Sequence, residues 1–357
     1  MARRRWRVRD ASRALSRTRR AWSSAMQPRR VPVWLWRALM RLVAAHELRV
    51  FNLDPVVGVD HSPDIDYAGD GDPSHRLDVL APSVRPEHDR GGADLPVYVY
   101  FHGGGWTSGD KAALTKYCAS QSIGGMVVVN ANYRPATRAH MGEILEDAAA
   151  VLAWVTANIA SYGGDPDRIV LGGDSAGGHI AALLTATSLS PELARHHGLR
   201  RVPERHRLKG LVQHCSVVDF SVVFDRDSVL SLSFVRMLLP RSRRTPPRTV
   251  GGGASLGWLR REARYLSPIE WLHPAFPPVL VTTSERDYFY RANLNFIERL
   301  RSHRIPVDAI VYERSVRNAV HTWQQDARHA ESQAVYRRLH RFVHAVTGQL
   351  RVQAPAS

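Results

Sequence analysis

Cysteine is nearly absent: the 357 residues contain two, Cys118 and Cys215. Two thiols cannot build a disulfide framework, and their spacing fits no metal-binding pattern. Both read as buried thiols, and stability must come from a hydrophobic core. Long apolar runs are missing too. The most apolar windows are short or interrupted by arginine, so no stretch offers the eighteen or more uncharged residues of a membrane span, and no transmembrane helix is expected. Acidic residues are scarce at one end, where residues 1–50 hold fourteen Arg against only Asp10 and Glu47, a balance of +12 within the net +16. The rest of the chain is only mildly basic. No internal repeat is visible.

What is present suits one large α/β domain with an insertion or appendage, since 44% of the residues are hydrophobic. Residues 1–30 are rich in Arg, Ser and Ala with little apolar periodicity, and are expected to be mobile or weakly helical. In Val31–Ala45, residues Leu35, Ala38, Leu39, Leu42 and Val43 recur at helical spacing while Arg37 and Arg41 take another face, which predicts a basic amphipathic helix. Two roles stay open for it: a cap helix packed on the body, the preferred reading, or docking on a membrane surface. Polybasic tails also bind nucleic acid or anionic head groups. The bland alternative is a solvated extension, or one that begins upstream of the true start codon. Arg37 and Arg41 interrupt the apolar segment and no clear small-residue cleavage site follows, which disfavours a signal peptide.

From His75 onward, short apolar runs alternate with helical patterns, the signature of a mostly parallel sheet with helices on both faces. Strands are predicted over 76–80, 96–101, 126–130, 168–171, 208–213, 278–283 and 307–312, and helices over 111–122, 142–161, 176–188, 291–303 and 328–346. The polar loop Pro82–Leu95 reads as a hairpin connection. About sixty residues between His214 and Pro278 are not needed by the sheet. They carry Phe220, Val222, Val223, Phe224, Leu230, Leu232, Phe234, Met237, Leu238 and Leu239, then the basic stretch Pro240–Arg248 and Gly251–Gly253. The apolar part suits a layer covering substrate, or residues that merely pack on the body. The expected division is therefore 1–50, basic tail and amphipathic helix, and 51–357, one α/β domain with an insertion at about 217–265.

Two motifs carry the chemistry. Val170-Leu-Gly-Gly-Asp-Ser-Ala-Gly-Gly178 sets Ser175 between Gly173 and Gly177 where an apolar run gives way to a helical one. That is a nucleophile elbow, in which the turn is too tight for side chains two positions either side of the serine. Upstream, the strand Val97–Phe101 runs into His102-Gly103-Gly104-Gly105-Trp106. Glycines there let backbone N–H groups approach a substrate oxygen.

Together the motifs resemble those of α/β-hydrolase fold carboxylesterases of the hormone-sensitive-lipase-like group, over roughly residues 75–345. The resemblance implies an α/β-hydrolase fold with a helical cap and a catalytic order of Ser, then acid, then His. It aligns Asp287, in Ser284-Glu285-Arg286-Asp287, with the family's acid, and Glu285 is the competitor. His321 follows the strand Ala309–Tyr312 and fits the histidine, whereas His329 and His340 fall in the predicted last helix and read as surface residues. The oxyanion hole is expected from the N–H groups of Ala176, Gly104 and Gly105. His102, Gly103, Gly173, Asp174 and Gly177 are expected to support the motifs, with Asp174 anchoring the elbow. Two departures stand out: His321-Thr322-Trp323 replaces the family's His-Gly-Phe, and Tyr288-Phe289-Tyr290-Arg291 replaces a more acidic stretch.

The expected activity is a serine carboxylesterase acting on short to medium acyl esters through an acyl-enzyme. An arylformamidase-like amidase is one alternative, because Trp106 with Gly109-Asp110-Lys111 resembles that group. A non-catalytic ligand binder is the other. No metal or organic cofactor is implied. The expected partner is a small-molecule ester, with peripheral contact between residues 1–50 and an anionic membrane, and nucleic acid is not expected. The expected location is cytoplasmic, membrane-associated if that contact forms.

Overall fold

The structure, a computed structural model, describes residues 33–84, 95–225, 228–244 and 254–348. The expected basic tail, the centre of the loop Pro82–Leu95 and the later part of the basic stretch with Gly251–Gly253 lie outside the described residues. Short β-branched and aromatic runs form β1 (Val59–Asp66), β2 (Arg76–Pro82), β3 (Leu95–Phe101), β4 (Val127–Ala131), β5 (Gly164–Asp174), β6 (Leu208–His214), β7 (Val279–Ser284) and β8 (Val307–Tyr312). They make one sheet of order β1-β2-β4-β3-β5-β6-β7-β8. Both pairings of β2 are antiparallel, and all those from β4 to β8 are parallel.

The seven predicted strands are all present. β1 was not predicted, because Val59 and Ile65 are its only aliphatic residues; backbone pairing to β2 at the sheet edge defines it, not burial. The loop Pro82–Leu95 is not a hairpin connection, because β4 lies between β2 and β3.

Central strands are buried on both faces and read as unbroken apolar runs. Along β3 the period of two still sorts the side chains: Val97, Val99 and Phe101 enter one core, Tyr98 and Tyr100 the other. The first core is completed by α3 (Met141–Asn158), α4 (Ala176–Thr187), the short α5 (Pro191–His197) and α8 (Tyr290–Ser302), the second by α2 (Thr115–Ser122) and α9 (Ala330–Val346). Every residue of α4 is buried, which its small side chains, Ala-Gly-Gly at the start and Ala181, Ala182 and Ala186 later, make possible. Residues 141–162 are long and apolar enough to cross a membrane by composition alone, yet Ile144, Leu145, Val151, Leu152 and Val155 are packed in the core of the body.

The amphipathic helix forms as α1 (Val33–Phe51), running past the expected boundary at residue 50. Asn52 clamps its end: Nδ2 donates to the Ala112 carbonyl at 2.7 Å and Oδ1 accepts from Lys116 N–H at 3.0 Å. Between β6 and β7 the chain forms α6 (Leu232–Leu238) and α7 (Ala254–Tyr265), flanked by 3-10 turns at Phe220–Phe224 and Pro268–Trp271. Phe220, Val223, Phe234, Leu238 and Leu239 are buried in the first core, so most of this apolar segment packs on the body.

Candidate active site

β5 ends at Asp174 and α4 begins at Ala176, leaving Ser175 alone to make the turn. Its φ of +50° lies in the left-handed region, and its N–H is tied to the His214 carbonyl at 2.9 Å. The neighbouring glycines are required by contact. A Cβ on Gly177 would collide with the Phe101 carbonyl oxygen, and one on Gly173 would stand 2.5 Å from the same atom. Strain concentrates here: Trp106, Ser175, Cys215 and Thr322 are four of the described non-glycine residues with positive φ, and all four stand at the ends of strands or in loops around the serine.

The glycine loop after β3 lies over the elbow. Gly104 and Gly105 take φ of +108° and +60°, conformations that L side chains resist. Asp174 joins the two motifs: its buried carboxylate accepts from Gly103 N–H at 3.0 Å and from Tyr100 O–H at 2.7 Å. Burial pushes the Asp174 pKa up, against the hydrogen bond from Tyr100. His102 is buried, stacks on Tyr133 at 4.5 Å and donates from Nδ1 to the Gly103 carbonyl at 2.8 Å. Its imidazole, with pKa lowered by burial, is thus spent on holding the loop. Trp106 donates from Nε1 to Nδ1 of His179 at 3.1 Å, and His179 Nε2 donates to the Leu266 carbonyl at 2.6 Å. One relay of side chains therefore ties the glycine loop to α4 and to the inserted segment.

The acid and histidine come from the ends of β7 and β8. His321 Nδ1 lies 2.7 Å from Asp287 Oδ1, a geometry in which the ring donates to the carboxylate. Asp287 also accepts from Thr283 Oγ1 at 2.8 Å on its other oxygen and from Phe289 N–H at 3.1 Å. Glu285 is exposed and accepts from the Arg314 N–H at 2.9 Å, away from the histidine. Tyr288 and Phe289 flank the imidazole with ring centroids 5.2 and 5.5 Å away. Thr322 occupies the left-handed region at φ +56°, which gives the physical reason a glycine suits the position after this histidine. His329 caps α9 instead of lying within it, with Nε2 3.2 Å from Asp326. His340 is not a surface residue: it is half-buried against Gln121 at 3.1 Å, and burial lowers its pKa to about 4.

Ser175, His321, Gly103, Gly104 and Gly105 wall one cavity of about 510 Å³. Its other walls include Trp106, Val217, Leu230, Phe289 and Gln325, with Leu39 and Met40 reaching in from α1. Of the apolar insertion residues singled out in the sequence, only Leu230 reaches this cavity. Sequence reasoning missed Thr283, Tyr100 and His179. Tyr100 carried a signal, a hydroxyl inside an otherwise apolar buried strand, where a partner is obligatory. Both thiols are buried as expected. The Cys215 Sγ, Asp287 and His321 ligand atoms lie within 4.8 Å of one another, but Asp287 and His321 are bonded to each other and Cys215 accepts from Thr322 N–H at 3.5 Å. Lys111, which prompted the amidase alternative, is buried and ion-paired to Asp64 and Asp78, each at 2.6 Å. Its charge serves the β1–β2 edge.

The family model for the alpha/beta hydrolase fold matches residues 98–325. The chain belongs to the α/β-hydrolase family. Among curated relatives this hydrolase is 33% identical over 185 residues to the probable carboxylic ester hydrolase LipM of Mycobacterium tuberculosis, covering 50% of this chain and 42% of that one. It is 28% identical to the esterase LipQ of the same organism, covering 68% of this chain and 54% of that one. The chain thus spans about half the length of the curated relatives it matches. Among solved structures, an inhibited esterase B from Lactobacillus rhamnosis superposes with a TM-score of 0.74 at 21% identity, covering 89% of this hydrolase and 97% of the esterase. A Pyrobaculum calidifontis esterase gives a TM-score of 0.60 at 21% identity, covering 88% and 94%. At these identities the likeness is one of fold.

Proposed function

We propose that this α/β hydrolase is a serine carboxylesterase. One observation carries the reading: Ser175, on a strained elbow, shares a cavity with an imidazole whose Nδ1 is held 2.7 Å from a buried carboxylate. Donation from Nδ1 leaves Nε2 of His321 as the acceptor, the tautomer a serine hydroxyl needs in order to lose its proton. Ser175 Oγ attacks the ester carbonyl and His321 takes the hydroxyl proton. The oxyanion forms against the N–H groups of Gly104, Gly105 and Ala176, each worth on the order of a hundredfold to a thousandfold in rate. His321 then protonates the departing alkoxide. Water attacks the acyl-enzyme with His321 as base, and the acid leaves. Asp287 holds the imidazole and its developing charge.

The names carboxylic ester hydrolase and esterase borne by LipM and LipQ support the ester as substrate class. Short to medium acyl chains are the preferred substrates in this reading. The reading divides the chain into α1 with its basic tail and a catalytic domain whose insertion, through Val229 and Leu230, contributes to the cavity wall.

A fluorophosphonate probe tests the nucleophile. Wild type is expected to be labelled and Ser175→Ala to be blank while keeping its fold, with turnover of p-nitrophenyl esters down by about six orders of magnitude. A folded wild type that takes no label overturns the assignment. Hydrolysis of a formamide in preference to any ester in a panel from acetate to palmitate would move the activity to the amidase class.

A further inference from the structure

We propose that the mouth of the catalytic cavity docks on an anionic lipid surface. The proposal rests on the esterase reading only for what the cavity does. Three cavity-wall residues are also open to solvent and therefore stand at its rim: Leu39 is 48% exposed, Tyr288 64% and Val320 48%. They come from α1, from the loop after β7 and from the loop before His321, so three segments distant in sequence place large apolar groups on one rim. Leu35, 40% exposed, lies one helical turn before Leu39 on the same face of α1. A cavity fed by dissolved esters needs apolar inner walls; an apolar outer rim adds nothing to such a site and marks a contact surface.

Charge selects the occupant. Arg286 belongs to the cavity wall, and its Nε donates to the Arg314 carbonyl at 2.9 Å. Arg314 and Arg317 stand exposed on the loop leading to Val320; the acids on this side are Glu285, Glu313 and the cavity-wall residue Asp110, all exposed. Arg291 is offset by Asp225 at 2.8 Å. The rim's own charges balance, and the positive excess belongs to the chain as a whole, whose net charge is +16 and whose first 50 residues hold fourteen Arg against two acids. Self-association through this face would bring two strongly positive bodies together. A leaflet bearing anionic head groups meets both features, because arginines extend to the phosphates while Leu35, Leu39, Tyr288 and Val320 enter the acyl boundary. Docked so, the cavity opens onto the phase that holds lipid esters.

The test is cosedimentation of the full chain with phosphatidylcholine vesicles, with and without phosphatidylglycerol. Wild type is expected to sediment with the anionic vesicles, more weakly as salt rises. The double variant Leu35→Glu/Leu39→Glu, with an unchanged melting temperature, is expected to bind roughly tenfold more weakly or worse at every salt concentration. Arg314→Gln/Arg317→Gln is expected to weaken binding at low salt and flatten the salt dependence. Wild type that sediments with neither vesicle overturns the proposal, as does undiminished binding by the Leu35/Leu39 variant, which would assign adhesion to the charge of the first 32 residues. A dimer in solution that the same variant dissolves would give the rim to a second copy and also overturn it. Binding needs no turnover, so Ser175→Ala must sediment like wild type. Vesicle binding by a protein that hydrolyses no ester would refute the esterase reading and leave docking standing.

Discussion

Replacing Asp287 with Asn isolates what the carboxylate charge contributes. The natural comparison is loss of the correct histidine tautomer, which in other triads costs about 10⁴ in turnover. Here the surroundings resist that loss. Asp287 Oδ1 accepts from both Phe289 N–H at 3.1 Å and His321 Nδ1 at 2.7 Å, while Oδ2 accepts from Thr283 Oγ1 at 2.8 Å. An asparagine must therefore put its oxygen at the Oδ1 position, because an amide NH₂ there would face the Phe289 N–H. Its NH₂ then meets Thr283, whose hydroxyl can accept. The imidazole keeps its tautomer and loses only the negative charge that stabilises imidazolium in the transition state. Unit charges about 4 Å apart at an effective dielectric of about 20 interact by roughly 4 kcal/mol. That corresponds to about a thousandfold in kcat. The assay is p-nitrophenyl acetate turnover beside nitrogen-15 spectra of His321, with Glu285→Gln as control, since Glu285 faces Arg314. The expected result is a roughly thousandfold fall for Asp287→Asn with the Nδ1–H tautomer retained, and a change within about threefold for Glu285→Gln. Activity of Asp287→Asn within tenfold of wild type, or a larger loss for Glu285→Gln, would refute the reasoning.

Thr322→Gly relieves a left-handed conformation that costs an L residue roughly 1–2 kcal/mol, set against roughly 0.5–1 kcal/mol for the freer unfolded chain; the melting temperature should stay level or rise, and a drop of several degrees would contradict the strain at φ +56°. Asp174→Ala strands the Gly103 N–H and the Tyr100 hydroxyl, each at about 1–3 kcal/mol; thermal melts should show the loss and fluorophosphonate labelling should slow, whereas wild-type labelling would detach Asp174 from the glycine loop. Acid should destabilise the fold well before the carboxylates titrate. Burial lowers the pKa of His179 to about 4 and those of His197 and His214 to about 3, so each is neutral when folded and takes up a proton on unfolding below about 6.5. Their contribution is complete above that pH and is lost as pH falls toward 4, by about 1.4 kcal/mol per pH unit per histidine. His75, whose pKa is raised by its bond to Asp147, opposes this in part; a melting temperature unchanged between pH 7 and pH 5 would refute it.

The strands and the two glycine motifs were legible in the sequence because their causes are local. Full burial makes β3 and β4 read as apolar runs, and the tight turn at Ser175 excludes side chains at Gly173 and Gly177 whatever surrounds it. Chain order narrowed the acid to two candidates. Only three-dimensional placement separated them, because Asp287 and Glu285 are two residues apart and differ in what they face: the half-buried imidazole of His321 in one case, the Arg314 backbone in the other. The same holds for the amphipathic segment. Its periodicity predicted a helix, but that Leu39 and Met40 complete the wall of a cavity containing Ser175, 135 positions further along, is fixed by how α1 docks. β1 and the place of β4 between β2 and β3 were invisible for a related reason, since an exposed edge strand and the order of strands are set by backbone pairing between remote segments. Local sterics and burial periodicity are written along the chain; which charged or polar group meets which, across dozens of residues, exists only once the sheet has assembled.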